Sequence, residues 1–122
     1  MSIVTSDVRG ASTDSKVYLI LHGADEDSKK LWVEGHFERA KTVVAQLHTD
    51  QMLSPLDELT VGIDYSGDRP EWHLDRVIFF CPNTGIEQVF PCNALFSKDQ
   101  GERKIERILS EDRKSRVVKP RG

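Results

Sequence analysis

Apolar and polar residues alternate along the chain in short runs, and each run stops at turn-forming residues. Val17–His22 places Val17, Leu19 and Leu21 on one face and Tyr18, Ile20 and His22 on the other, the period of two that a strand requires. Gly23 and the polar stretch 24–30 interrupt it before Leu31–Val33 and Phe37 resume apolar character. Residues 42–47 are rich in β-branched side chains, and 59–63 align Leu59, Val61 and Ile63 before a loop-like segment at 64–70. Residues 73–81 form the most apolar run and predict a strand through the centre of a sheet. A turn at 82–85, with Gly85 free to take positive φ, predicts a hairpin returning through 86–90, where Pro91 is expected to end the ladder. Six or seven short strands without helical alternation predict an antiparallel sandwich, because each sheet must cover its apolar face. Residues 102–114 break the pattern: Ile105, Ile108 and Leu109 fall at i, i+3 and i+4, which predicts an amphipathic helix.

The 122 residues suffice for one domain that builds its own core, burying roughly two thirds of its unfolded surface. Seventeen basic and twenty acidic residues leave a net charge of −3, which supplies no field to attract nucleic acid. That total conceals an asymmetry. Residues 1–97 hold 8 basic and 15 acidic side chains, and residues 98–122 hold 9 and 5, so an acidic body precedes a positive end. The expected organisation is a domain over 1–110 with a basic extension or linker over 111–122. Cys81 and Cys92 are too few for a disulfide framework and read as small buried hydrophobes, which suits a reducing compartment. No apolar run approaches the roughly 20 residues of a membrane span, and residues 1–13 contain no secretory apolar core, so a soluble chain without an export signal is expected.

Catalytic arrangements are missing from the pattern. The four histidines do not form His-Glu-x-x-His, and neither a Gly-x-Ser-x-Gly elbow nor a phosphate-binding glycine-lysine loop occurs. Acidic residues do recur in turns beside strands: Asp14 precedes the Val17 run and Asp64 follows Ile63. Were those loops to converge, their carboxylates and carbonyls would suit a hard cation such as calcium, which takes six to eight oxygens; solvent-facing turn acids explain Asp7, Asp14, Asp64 and Asp68 equally well. Trp32, beside Lys29 and Lys30, has two readings as well: strand packing, or an aromatic and two cations presented to a membrane or protein partner.

Read together, four motifs carry a resemblance. Residues 5–18 contain Thr5, Asp7, Val8, Gly10, Ala11, Thr13, Asp14, Val17 and Tyr18 in the spacing T-x-D-V-x-G-A-x-T-D-x-x-V-Y. Phe37, Glu38 and Arg39 follow. Ile63, Asp64, Tyr65, Ser66 and Gly67 precede Pro70, Trp72, Leu74, Asp75 and Val77, and Phe90, Pro91, Cys92 and Asn93 lead to Leu95. From about Ile3 to Leu109 the chain resembles the PLAT domain family (polycystin-1, lipoxygenase, alpha-toxin; also called LH2).

The resemblance implies a sandwich of two four-stranded antiparallel sheets, with residues 104–109 as the last strand in place of the helix that periodicity predicts. It implies architectural roles for Trp72, Leu74, Val77, Phe79, Phe90, Cys92 and Leu95, while Asp75 and Arg39 are candidates to pair across the sheets or to bond turn amides, an exposed pair contributing little. It also implies a noncatalytic adaptor for a membrane lipid or protein partner, monomeric as an isolated domain and assisted by calcium. The implied ligands are Asp14, Asp64, Thr13, Tyr65, Gly10 and Asp68, with Trp32, Lys29 and Lys30 as contact residues. Within the family the likeness is to repeats of a large hair-cell stereocilia protein, which implies a cytoplasmic, plasma-membrane-associated module. A calcium-independent protein interaction repeat and a regulatory domain of a lipid-acting enzyme are the alternatives. Ile63 and Tyr65 stand where the family has histidine and asparagine around Asp64, which removes a side-chain amide from the implied site.

Overall fold

The computed structural model describes residues 1–48 and 53–120. Residues 121–122, the end of the expected basic extension, lie outside them. The described strands are β1 (Ser2–Thr5), β2 (Val17–His22), β3 (Leu31–Val33), β4 (Thr42–Val44), β5 (Glu58–Ile63), β6 (Trp72–Cys81), β7 (Ile86–Phe96), β8 (Glu106–Ser110) and β9 (Val117–Val118). They form two antiparallel sheets, one ordered β4-β1-β6-β7-β9 and the other β3-β2-β5-β8. The sandwich is therefore five strands on four.

Alternation sets which side chains meet between the sheets. Val17, Leu19 and Leu21 of β2 and Leu59, Val61 and Ile63 of β5 face Ile3 of β1, Leu74 and Val77 of β6, and Phe90 and Phe96 of β7, all buried. Trp72 sits at one end of this core, fully buried between Phe37 and Phe96, with ring centroids 5.5 and 5.3 Å away. Its indole N–H donates to the Thr5 hydroxyl at 3.0 Å, so the ring enters the core without an unsatisfied donor.

The outer face of the four-stranded sheet is also furnished. The Tyr18 ring of β2 covers Gly62 of β5; a Cβ there would stand 2.2 Å from the ring, so only glycine leaves room. The phenol then reaches Glu106 of β8 and donates to it at 2.6 Å. Burial first, and the neighbouring carboxylate second, push that hydroxyl well above the usual tyrosine range.

The implied two four-stranded sheets become five strands on four, because β9 adds an edge strand beside Ile86 and Glu87, and three further expectations change. Residues 102–114 are not a helix: Glu106–Ser110 is strand β8, paired with β5 from Glu58↔Ser110 to Gly62↔Glu106. The free edge of β5 offers a whole ladder of hydrogen bonds, which outweighs the modest helical preference of this segment. Leu109 points inward and is buried, whereas Ile108 points outward. Pro91 does not end its strand either. β7 runs through it, because the ladder shifts register between Leu74 and Arg76, and Pro91 stands exposed at that irregularity. Arg39 and Asp75 do not pair with each other: Arg39 bonds Asp7 at 2.9 Å and Asp75 bonds Arg76. Both cysteines are free thiols and half-buried, and burial pushes the Cys92 thiol up to about 11.

The positive end of the chain continues into the fold as far as it is described. A 3-10 turn at Arg113–Ser115 leads into β9, which supplies the fifth strand beside Ile86 and Glu87. Glu111 anchors it, accepting from Arg116 Nε at 2.8 Å and Nη2 at 2.5 Å and from Gln88 at 2.9 Å. The hydrogen bond from Arg116 holds the Glu111 carboxyl below the usual glutamate range. A carboxylate depressed in the folded state stabilises fully above its unfolded pKa of about 4.3, and that contribution is lost as pH falls through the lower folded value. Acid unfolding followed by circular dichroism should therefore show a loss of stability below about pH 4.3. In Glu111→Gln that component should be absent, with the variant already less stable at pH 7. Identical pH profiles for the two proteins would contradict the assignment.

Candidate functional site

Two loops meet at the Trp72 end of the sandwich. One precedes β2 and carries Thr13, Asp14, Ser15 and Lys16; the other joins β5 to β6 and carries Asp64 to Pro70. Each aspartate reaches across to a basic residue of the opposite loop. The Asp14 amide donates to the Arg69 carbonyl at 2.8 Å, and the Arg69 amide donates back to Asp14 Oδ2 at 3.1 Å. Asp64 repeats the arrangement with Lys16: its amide donates to the Lys16 carbonyl at 3.0 Å, and its Oδ1 accepts from the Lys16 amide at 2.9 Å.

Further bonds close the pair. Arg69 Nε and Nη2 lie 3.5 and 3.4 Å from the Asp14 carboxylate oxygens. Asp64 Oδ1 also accepts from the amide and hydroxyl of Ser66 at 3.1 and 2.6 Å. Desolvation pushes the Asp64 carboxyl up, but the Ser66 and Lys16 donors outweigh it and hold the group below the usual aspartate range. The Thr13 hydroxyl has the carbonyls of Arg69 and Pro70 within hydrogen-bond reach of its one proton, and the Ser15 hydroxyl those of Ser66 and Pro70. Gly67, at φ +84°, permits the approach, since a Cβ there would stand 2.7 Å from Asp14 Cβ.

The implied ligand residues thus divide. Thr13, Asp14 and Asp64 come together. Gly10 and Asp68 line a separate recess with Ser12, Arg39, Arg69, Pro70 and Glu71. Tyr65 takes the left-handed conformation at φ 59°, and Lys98 lies 5.1 Å from its ring centroid. A hard cation needs six to eight oxygens. Here both carboxylates and the carbonyls of Lys16, Ser66, Arg69 and Pro70 already accept hydrogen bonds, and among the described residues no group of three or more His, Cys, Asp or Glu is placed to hold a metal. The donor set does not fit calcium as it stands. Arg69 is the residue the sequence pattern did not single out; its only signal there is a lone cation within an otherwise acidic loop.

Beside the clasped loops opens a cleft of about 710 Å³ between residues 13–16 and 32–38, with Asp64 and Arg69 on its wall. Trp32 stands at this cleft, 51% exposed, packed edge-on against Tyr18 at 5.2 Å. Lys30 Nζ lies 4.1 Å from the Tyr18 ring centroid and 5.8 Å from that of Trp32. The indole packs on Tyr18 of the sheet, and about half of its surface is open. Lys29 is exposed on the preceding loop. Acid predominates around the cleft, with Asp14, Glu34, Glu38 and Asp64 against Lys16 and Arg69. Among the described residues no helix is long and apolar enough to cross a membrane.

A model of the PLAT/LH2 domain family matches residues 1–110. Human lipoxygenase homology domain-containing protein 1 is 38% identical over 114 residues, covering 91% of this chain and 6% of that protein. Mouse polycystin-1-like protein 3 is 29% identical over 114 residues, covering 90% of this chain and 5% of that protein. Among solved structures, a coral 8R-lipoxygenase, reported with calcium activation through a C2-like domain, superposes with a TM-score of 0.76 at 20% identity. A lipoxygenase variant superposes with a TM-score of 0.78 at 19% identity. In both, 90% of this chain aligns with 16% of the enzyme chain. The likeness thus covers a small part of each longer relative.

Proposed function

The chain belongs to the PLAT/LH2 domain family, a noncatalytic binding fold, and on that premise we propose that it is a calcium-independent docking module of a longer protein. The cleft beside Trp32 receives a basic, extended segment of a protein partner. The observation that carries this reading is the coincidence of a half-exposed indole with an acid-dominated cleft at one pole of the sandwich. Trp32 supplies a flat apolar surface that also attracts cations, and Glu34 and Glu38, both exposed, supply charge. The two loops beside the cleft are closed by their own hydrogen bonds, so the docking surface is shaped before a partner arrives.

The chain contains two tryptophans, and Trp72 is buried, so Trp32 emission reports on the cleft. Titration with deca-lysine in EGTA should shift that emission saturably. Glu34→Lys with Glu38→Lys should weaken the apparent affinity about tenfold or more, whereas Asp25→Lys on the remote polar loop should leave it nearly unchanged. Equal weakening by both charge changes would reveal non-specific attraction and remove the cleft as the site. A shift produced by phosphatidylserine vesicles and not by the peptide would replace the protein partner with a membrane.

A further inference from the structure

We propose that Arg69 takes the place of a divalent cation in this domain: its guanidinium neutralises Asp14 and keeps the two loops closed whether or not calcium is available. The inference rests on the calcium-independent half of the proposed function and not on the identity of the partner.

Reciprocity is what carries it. Asp14 and Asp64 lie on different loops, and each is matched to a basic residue of the other loop by a pair of opposed bonds, amide to carbonyl and amide to carboxylate. A metal bridging two such loops would do so by drawing both carboxylates to one positive centre. Here the positive charge is covalently part of the chain. Arg69 adds its Nε and Nη2 to its own backbone amide, so three donors face the two oxygens of Asp14. Lys16 adds charge near Asp64, whose Oδ1 holds three hydrogen bonds with Ser66 included. Both oxygens of Asp14 therefore face donors from Arg69, and it is this carboxylate that a metal would have to win from the guanidinium.

An exposed ion pair adds little to folding stability, and both Arg69 and Asp14 are substantially exposed. The consequence is therefore read in calcium affinity and loop order, not in melting temperature. To bind at Asp14 a calcium ion would have to displace a tethered guanidinium whose effective concentration never falls. Removing the guanidinium while keeping the backbone amide, as in Arg69→Ala, leaves the rest of the clasp in place.

Calorimetry with calcium chloride, together with amide hydrogen exchange in EGTA, tests the inference. The native domain should show no saturable binding up to about 1 mM calcium, the weak end of protein calcium sites. Its Asp14 and Asp64 amides should be protected in EGTA and unchanged on adding calcium. Arg69→Ala should gain saturable binding, at least about tenfold tighter than native, that Asp14→Asn removes again. Native binding at micromolar calcium, an Arg69→Ala variant that gains nothing, or amides protected only when calcium is added would each overturn the assignment. The exchange measurement needs no variant. Neither readout depends on the deca-lysine titration, so failure here and failure of the cleft as a docking site are separately visible.

Discussion

Trp72→Ala should lower the unfolding free energy by about 3–5 kcal/mol, the cost of removing a large aromatic from a packed core. Trp72 is fully buried, touches aromatic rings on two sides and spends its one donor on Thr5. Truncation leaves a void that Phe37 and Phe96 cannot both fill, because Phe37 is held in its loop by the Thr13↔Phe37 bridge and Phe96 by pairing with β6. For a chain of this length the loss corresponds to a fall in melting temperature of roughly 12–20 °C. Trp32→Ala is the internal comparison. Its ring is half-exposed and makes one edge-on contact with Tyr18, so about 0.5–1.5 kcal/mol is at stake. Urea denaturation of the two variants should separate them clearly, and a Trp72→Ala cost below that of Trp32→Ala would contradict the core described here.

Gln88→Leu should cost about 2–5 kcal/mol although it places an apolar residue in an apolar environment. Gln88 is fully buried on β7, and its amide behaves as a surrogate strand for Leu56: Oε1 accepts from the Leu56 amide at 2.8 Å and Nε2 donates to the Leu56 carbonyl at 2.9 Å. The same Nε2 lies 2.9 Å from Glu111, which holds Arg116. Leucine has nearly the same volume and gains little transfer energy at a site already dry. It orphans both polar groups of Leu56, at about 1–3 kcal/mol each. The specific readout is hydrogen exchange: the Leu56 amide should lose its protection in the variant while the amides of β2 and β5 exchange only in proportion to global stability. Unchanged stability with a still-protected Leu56 would show that this side chain is replaceable.

The sequence made the sandwich legible where a strand buries one face. The alternation of Val17, Leu19 and Leu21 with Tyr18, Ile20 and His22 predicts β2, and the turn at 82–85 predicts the β6–β7 hairpin, because both are consequences of local chemistry. Periodicity alone misses strand β8, which the family resemblance places at 104–109, because its inward residues are Arg107 and Leu109. Arg107 is nearly buried, donates to the Leu95 carbonyl and lies over the Phe96 ring, so an inward-facing position reads as polar in the sequence. The two-residue strand β9 depends on a distant fit, with the Lys119 carbonyl seated where a Cβ on Gly85 would stand. In the candidate site, motif spacing marked Asp14 and Asp64 and their loops do meet. The pairing of Asp14 with Arg69 spans 55 positions and has no local signature.

The position of the two chain ends within the fold has an architectural consequence. Ser2 pairs with Ile78 and Val118 with Ile86, which lies opposite Cys81, so the chain both enters and leaves at the hairpin end of the long sheet. The clasped loops and the cleft lie at the Trp72 end, and β6, ten residues long, separates the two poles by roughly 30 Å. Sequence joined before β1 or after β9 is therefore attached at one pole only. Domains strung together in this way would hang from their connections like pendants, with every cleft pointing outward. Neighbours could then crowd at the points of attachment and leave the far pole of each domain uncovered.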